Sequence, residues 1–98
     1  MRVEVKEIYK GEIDEFIRRG AVMIDVREAP DTEKLPSIPG HMHLPLSRLA
    51  ELADKLESEQ PLVFFCRSGL LSYPAAEIAS TLIRKPMYYL AGGLLSEA

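Results

Sequence analysis

Cys66 is the only cysteine in the chain, and it joins two very different stretches. Before it runs Leu62-Val63-Phe64-Phe65, and after it come Arg67-Ser68-Gly69-Leu70-Leu71-Ser72. The first reads as a strand buried on both faces, the second as a loop leading into a helix. Ligands of open parallel sheets bind beyond the carboxyl ends of the strands, which is where this spacing puts Cys66. A loop of this composition can curl so that its backbone N–H groups converge. Such a nest binds anions, and the N-terminus of the following helix adds partial positive charge. Both features, together with an inward-turned Arg67, favour a thiolate, the nucleophilic form of cysteine. The competing reading is a small buried core residue, the commoner fate of a free cysteine. A lone cysteine excludes an intramolecular disulfide and a resolving-thiol cycle within the chain. Any cycle that Cys66 starts must be finished by a small molecule or a second protein.

Other residues invite chemistry less strongly. Asp25 and Arg27 close the apolar run Ala21 to Val26. Buried carboxylates are usually paired, so Asp25 reads first as a strand-end carboxylate fixing a neighbouring loop. Arg27 reads as a clamp on the Pro-rich segment, leaving Arg67 as the better substrate-side cation. His41 and His43, two apart on a strand, share a face, and a His-His-Cys66 site can be drawn. It lacks a fourth ligand and any usual zinc spacing, so no metal site is assigned.

The elements that must position these residues follow from the punctuation. Arg2 to Ile8 alternates as a half-exposed strand. Glu12 to Arg19 carries Ile13, Phe16 and Ile17 at helical spacing, and Gly20 stops it. Ala21 to Val26 is a buried strand. Ala29 to Pro45 holds Pro30, Pro36, Pro39 and Pro45, which forbid a long helix, with a short strand through Met42 to Leu44. Ser47 is a candidate N-cap for a helix burying Leu49, Leu52, Ala53 and Leu56, with Glu51, Asp54, Lys55, Glu57 and Glu59 on its solvated face. After the Cys66 loop, a helix would bury Ala75, Ile78, Ala79, Leu82 and Ile83. Pro74 should push Tyr73 out of helical angles and lengthen the loop. Met87 to Leu90 is a last strand, with one of Tyr88 and Tyr89 in the core and the other on the surface. Gly92-Gly93 then turns into a brief terminal helix. Alternating strands and helices argue an α/β layered fold around a mainly parallel sheet.

Composition narrows the function classes. The 98 residues fit one domain, 1–98. Hydrophobic residues at 47% and charged residues at 28% describe a globular chain rather than a disordered one. The net charge of -3 provides no dense basic surface, so a nucleic-acid partner is not expected. No apolar run approaches the roughly 20 residues that span a bilayer, and the first residues lack a signal-peptide pattern. The expected setting is the cytosol, with no membrane partner.

Four segments together resemble the single-domain rhodanese family. Met23-Ile24-Asp25-Val26-Arg27-Glu28 is similar to its strand ending in Asp-Val-Arg. Ser37-Ile38-Pro39-Gly40, followed by His43-Leu44-Pro45-Leu46-Ser47, resembles the segment entering its second helix. Val63 to Gly69 resembles the strand and active-site loop, and Leu90-Ala91-Gly92-Gly93-Leu94 the C-terminal turn. The resemblance implies a rhodanese-like three-layer α/β fold, a mainly parallel sheet of about five short strands flanked by helices. It implies a sulfurtransferase in which Cys66 carries a sulfane sulfur as a persulfide. The donor would be thiosulfate or a persulfide, the acceptor a thiol or cyanide, and a partner protein could hold either. The amides of Arg67, Ser68, Gly69, Leu70 and Leu71, with Ser72 closing the loop, would bind the substrate. Asp25 and Arg27 would support it, and no metal or organic cofactor is implied. A non-catalytic protein-binding module on the same scaffold is the alternative.

Two departures sharpen the expectation. Many rhodaneses carry Arg where this chain has Leu71, so the rim loses a cation and a small dianion such as thiosulfate should bind less well. Related cysteine phosphatases place Arg six residues after their cysteine. Ser72 stands there, which removes the clamp a phosphatase needs.

Overall fold

A computed structural model describes residues 3–28, 36–51, 53–56 and 59–96. The expectations for Arg2, for 29–35 with Pro30, for Leu52 and Glu57 and for the Lys55 side chain lie outside them. Five short strands form one sheet: β1 Val5–Ile8, β2 Val22–Asp25, β3 Met42–His43, β4 Leu62–Phe65 and β5 Met87–Leu90. Their spatial order is β1-β5-β4-β2-β3, and every neighbouring pair is parallel. Parallel strands need crossovers that cover the faces, so the central strand must be apolar on both sides. Central β4 meets that demand, with all four of its residues fully buried.

Two cores result, one on each face of the sheet, because successive side chains alternate. On one face Ile24, Leu62, Phe64 and Met87 pack with Ala75, Ala76 and Ala79 of helix α2 (Ser72–Leu82) and with Leu49 and Leu56. On the other, Met23, Val63, Phe65 and Leu90 pack with Ile13 and Phe16 of helix α1 (Ile13–Arg18). This is the three-layer α/β arrangement expected. Three alanines on α2 let the helix sit close to the sheet, directly behind the strand that ends at Cys66.

Several local expectations are corrected. The first helix begins as a tight 3-10 turn, Lys10–Glu12, and its Ile17 is exposed, because only the Ile13 and Phe16 side faces the sheet. The helix expected after Ser47 is two short 3-10 turns, Leu46–Arg48 and Ala53–Leu56. Ser47 does not cap: it lies inside the first turn, and its hydroxyl and amide bond the Glu28 carboxylate. On α2, Ile78 and Leu82 are exposed and Ala76 is buried instead, a rotation of the apolar stripe toward the smallest side chains. Pro74 does not displace Tyr73, which is helical. The first ladder bond runs from the Ala75 amide to the Leu71 carbonyl, so Pro74 occupies a first-turn site whose N–H would have had no partner in the helix. Tyr88 and Tyr89 are both half-buried, one in each core. No helix among the described residues is long and apolar enough to cross a membrane.

Candidate active site

β4 carries Leu62 and Phe64 on the α2 face, and Cys66, two residues further, keeps that parity. The thiol therefore emerges at the carboxyl end of the central strand, beneath the start of α2. It is buried, with 2% of its surface exposed. The chain then turns sharply. Gly69, with φ +93°, bends the loop back so that its N–H points at Sγ from 3.1 Å. The Leu71 N–H approaches Sγ from 3.3 Å. Two of the five expected cradle amides are thus engaged with the sulfur itself. Two N–H groups converging on one atom form the kind of nest that can hold an anion.

The loop is braced from two sides. Ser72, expected in the loop, instead begins α2. Its buried hydroxyl donates to the Gly69 carbonyl at 3.3 Å. Below, the Leu94 amide donates to the Cys66 carbonyl at 2.9 Å and the Leu95 amide to the Arg67 carbonyl at 3.0 Å. Sequence reasoning saw Gly92-Gly93 as a turn and missed this bracing. The paired glycines were the available signal, since both have positive φ.

A pocket of about 240 Å³ opens over the thiol, lined by Arg27, Cys66, Arg67, Ser68, Leu70 and Leu71. Its polar character is uneven. Arg67 is exposed and makes no ion pair among the described residues. Arg27 is 1% exposed and forms an ion pair with fully buried Asp25, Nη2 to Oδ2 at 2.8 Å and Nε to Oδ1 at 3.0 Å. The Arg27 amide adds a bond to Oδ1 at 3.0 Å, and the Ser37 hydroxyl one to Oδ2 at 2.8 Å. Burial pushes the Asp25 carboxyl up, but the Arg27 and Ser37 hydrogen bonds and the Arg27 charge outweigh it and hold the group below its ordinary value. Asp25 and Arg27 thus tie the end of β2 to the far side of the Pro-rich segment at Ser37. Arg27 also reaches the pocket, alongside Arg67. Ser37 was not singled out from the sequence: a serine in a Pro-rich stretch carries no signal of a buried partner.

Each of the two histidines has a ring nitrogen against a backbone carbonyl. His41 Nδ1 lies 2.8 Å from the Ile38 carbonyl, and its ring meets Phe65 edge-on. His43 Nε2 lies 2.7 Å from the Arg27 carbonyl. Among the described residues no three His, Cys, Asp or Glu side chains cluster as a metal site would require.

The chain as a whole is similar to known proteins. The family model described as "Rhodanese-like domain" matches residues 9–96. The thiosulfate sulfurtransferase GlpE of Coxiella burnetii is 30% identical over 76 residues, which cover 78% of this chain and 70% of that protein. A tRNA sulfurtransferase of Pyrobaculum aerophilum is 33% identical over 86 residues, covering 74% of this chain but spanning only 18% of that protein's length. Among solved structures, a rhodanese-related protein from Thermoplasma volcanium superposes with a TM-score of 0.82 at 27% identity, over 92% of this chain and 87% of the other.

Proposed function

The chain belongs to the rhodanese-like family, and from that premise we propose that it is a cytosolic sulfurtransferase whose Cys66 carries sulfane sulfur between a donor and a thiol. The observation that supports it most is the pair of amides, from Gly69 and Leu71, already aimed at Sγ. A core cysteine has no need of N–H groups turned onto its sulfur.

The reaction has two halves. In the first, the Cys66 thiolate attacks the outer sulfur of the donor. A bond forms between Sγ and that sulfur, the donor's S–S bond breaks, and its electron pair leaves with the departing group. That group is sulfite if the donor is thiosulfate and a thiol if it is a persulfide. Cys66 is left as a persulfide whose terminal sulfur is anionic. In the second half, an acceptor thiolate (or cyanide in the test tube) attacks the terminal sulfur. The Sγ–S bond breaks and the Cys66 thiolate returns. No oxidant or reductant is consumed.

The loop's contribution is electrostatic. The charge moves from Sγ to the sulfur bonded to it, into the same concave loop, so amides ordered in advance serve both halves without reorganising. Arg67 lines the pocket, and its guanidinium supplies a cation for the incoming anion. Small-molecule donors and thiol acceptors, or a protein presenting either, are the partners this reading requires.

The test is intact-protein mass after incubation with a sulfur donor, with Cys66→Ser alongside. The expected result is one added sulfur atom on the unmodified chain, none on the variant, and loss of that sulfur on adding cyanide. No mass gain with thiosulfate or with a persulfide would overturn the sulfurtransferase reading and leave a binding module on the same scaffold.

A further inference from the structure

The wall of the Cys66 pocket is more apolar than an anion-binding loop needs. Of its lining residues, Leu70 is 79% exposed, the most exposed large apolar side chain among the described residues. An exposed leucine on a solvated loop costs nothing by itself, but this one stands beside the reacting sulfur. Leu71 lines the same pocket from a half-buried position. Tyr73, three residues beyond Leu70 on the turn that enters α2, leaves 46% of its surface in solvent. Its ring is not loose. It packs edge-on against Tyr89 at 5.0 Å between centroids, and the Tyr89 hydroxyl is anchored on the Glu7 carboxylate at 3.3 Å. The exposed Leu70, with Leu71 beside it in the pocket wall, makes an apolar ledge at the mouth, and Tyr73 is held in place three residues further along the chain.

The charge at the same mouth is small. Arg27 reaches the pocket, but the buried Asp25 carboxylate lies against its guanidinium. Arg67 supplies the other cation, and the two amides on Sγ supply partial charge. A small dianion would bring two negative charges to one uncompensated cation. It would also strip water from the leucines with nothing to cover them.

We infer that Leu70 is a specificity-determining residue that selects an organic persulfide, with an uncharged carbon body lying on the ledge, over an inorganic dianion as the sulfur donor. This rests on the sulfurtransferase reading and adds the donor class to it. In the transfer, the Cys66 thiolate takes the outer sulfur of R–S–SH. The S–S bond breaks, and R–S⁻ leaves and takes up the donor's proton as R–SH. The terminal sulfur stays on Cys66 as the anion. The leaving thiol departs along the apolar ledge.

Donors differ in intrinsic reactivity, so the test compares variants rather than donors alone. Single-turnover sulfur uptake on Cys66 is followed by mass spectrometry for three donors: the persulfide of N-acetylcysteine methyl ester, the persulfide of N-acetylcysteine, and thiosulfate. They present a neutral body, a carboxylate-bearing body and no carbon body. Leu70→Ser should slow uptake from the neutral persulfide about tenfold, as removal of a few apolar groups from contact implies. It should leave thiosulfate within about twofold on the same basis. Leu70→Arg should slow the neutral persulfide and speed thiosulfate. Leu82→Ser, an exposed leucine at the far end of α2, should change neither. Equal slowing of all donors by Leu70→Ser, or no change in any, overturns the donor assignment while sulfur uptake itself persists. Uptake from none of the three by the unmodified chain overturns the sulfurtransferase reading, and this assignment with it.

Discussion

Gly93 lies so close under Arg67 that a Cβ on it would stand 2.5 Å from the Arg67 carbonyl oxygen and 2.6 Å from that of Cys66. Both carbonyls belong to the backbone that starts the Cys66 loop, and both accept amides from the residues just after Gly93. A C-terminal turn far away in sequence is thus the floor on which the loop rests. Gly69 approaches from the other side: a Cβ there would stand 3.0 Å from the Gly92 nitrogen. The curl of the loop is therefore set by two backbones in contact, with no side chain between them.

Replacing Gly93 by Ala should damage both fold and function. Its φ of +65° costs a non-glycine residue about 1–2 kcal/mol, and the Cβ must in addition push the loop away. A displacement of the amides from Sγ by about 1 Å is worth roughly 100-fold in rate. Gly40→Ala provides the comparison, because Gly40 also has positive φ (+78°) but open space around it. Urea denaturation should show a loss of about 1–2 kcal/mol for Gly40→Ala and a clearly larger one for Gly93→Ala. Sulfur uptake per folded molecule should fall only in Gly93→Ala. Equal behaviour of the two variants would contradict the bracing.

The Asp25–Arg27 pair makes a pH prediction. The folded state holds the Asp25 carboxyl below its ordinary 3.8, so it binds that proton less readily than the unfolded chain does. The resulting stability is complete above about pH 4 and is lost as pH falls through the lower folded value. Asp25→Asn removes the titration and takes the Asp25 charge away from the buried Arg27 guanidinium. The variant should be less stable by about 3–5 kcal/mol at pH 7, with the gap narrowing below pH 4. Urea midpoints at pH 7, 4 and 3 measure it. A gap that stays constant down to pH 3 would rule out this linkage.

What the sequence made legible follows from the range of the interactions involved. The apolar run before Cys66 and the polar, Gly-containing run after it are local signals, and they locate the central strand and the loop. The alternation of strands and helices carried the parallel sheet. Less was legible where short elements meet others distant in sequence. Ser47 has the chemistry of an N-cap, but Glu28 lies within reach of it, and a carboxylate competes well for a hydroxyl. Ile78 and Leu82 fit a helical stripe, but the sheet meets the Ala75–Ala76–Ala79 side of α2, and no periodicity distinguishes the two. The pairing of Ser37 with Asp25, twelve residues apart, depends on how a Pro-rich segment folds back, and composition does not encode that path.

The edge strand β1 carries a second carboxylate arrangement. Glu7 accepts hydrogen bonds from the hydroxyls of Tyr9 (3.0 Å) and Tyr89 (3.3 Å). The Glu7 hydrogen bond, then its charge, raises the Tyr9 phenol above 10.0. For Tyr89, burial comes first and the Glu7 charge second, again upward from 10.0. Glu7→Ala, which removes both the acceptor and the charge, should therefore lower Tyr9 toward its ordinary value and Tyr89, whose burial remains, less far. Both phenols should ionise at lower pH than in the unmodified chain. Residue-resolved NMR titration of the tyrosine rings from pH 8 to 12 reads both shifts. A downward shift larger for Tyr89 than for Tyr9 would contradict this ordering of causes.

Two buried serines on α2 separate a structural hydroxyl from a positioning one. Ser72 donates to the Gly69 carbonyl, whose residue also sends its amide to Sγ. Ser80 donates to the Glu77 carbonyl at 2.7 Å, a bond internal to the helix. Removing either hydroxyl should cost about 0.5–1.5 kcal/mol, the net worth of one such bond. The effects on sulfur transfer should differ. Ser72→Ala frees Gly69 to turn, weakening one of the two amides that hold the anionic sulfur. A donor made in the transfer step would contribute about 10²–10³-fold, and a merely loosened one should cost several-fold. The loss should fall on the rate of persulfide formation at saturating donor, with little change in the donor concentration giving half-maximal rate, because the amides face Sγ. Ser80→Ala should leave both parameters unchanged. Matching losses in the two variants would show that Ser72 acts through stability alone.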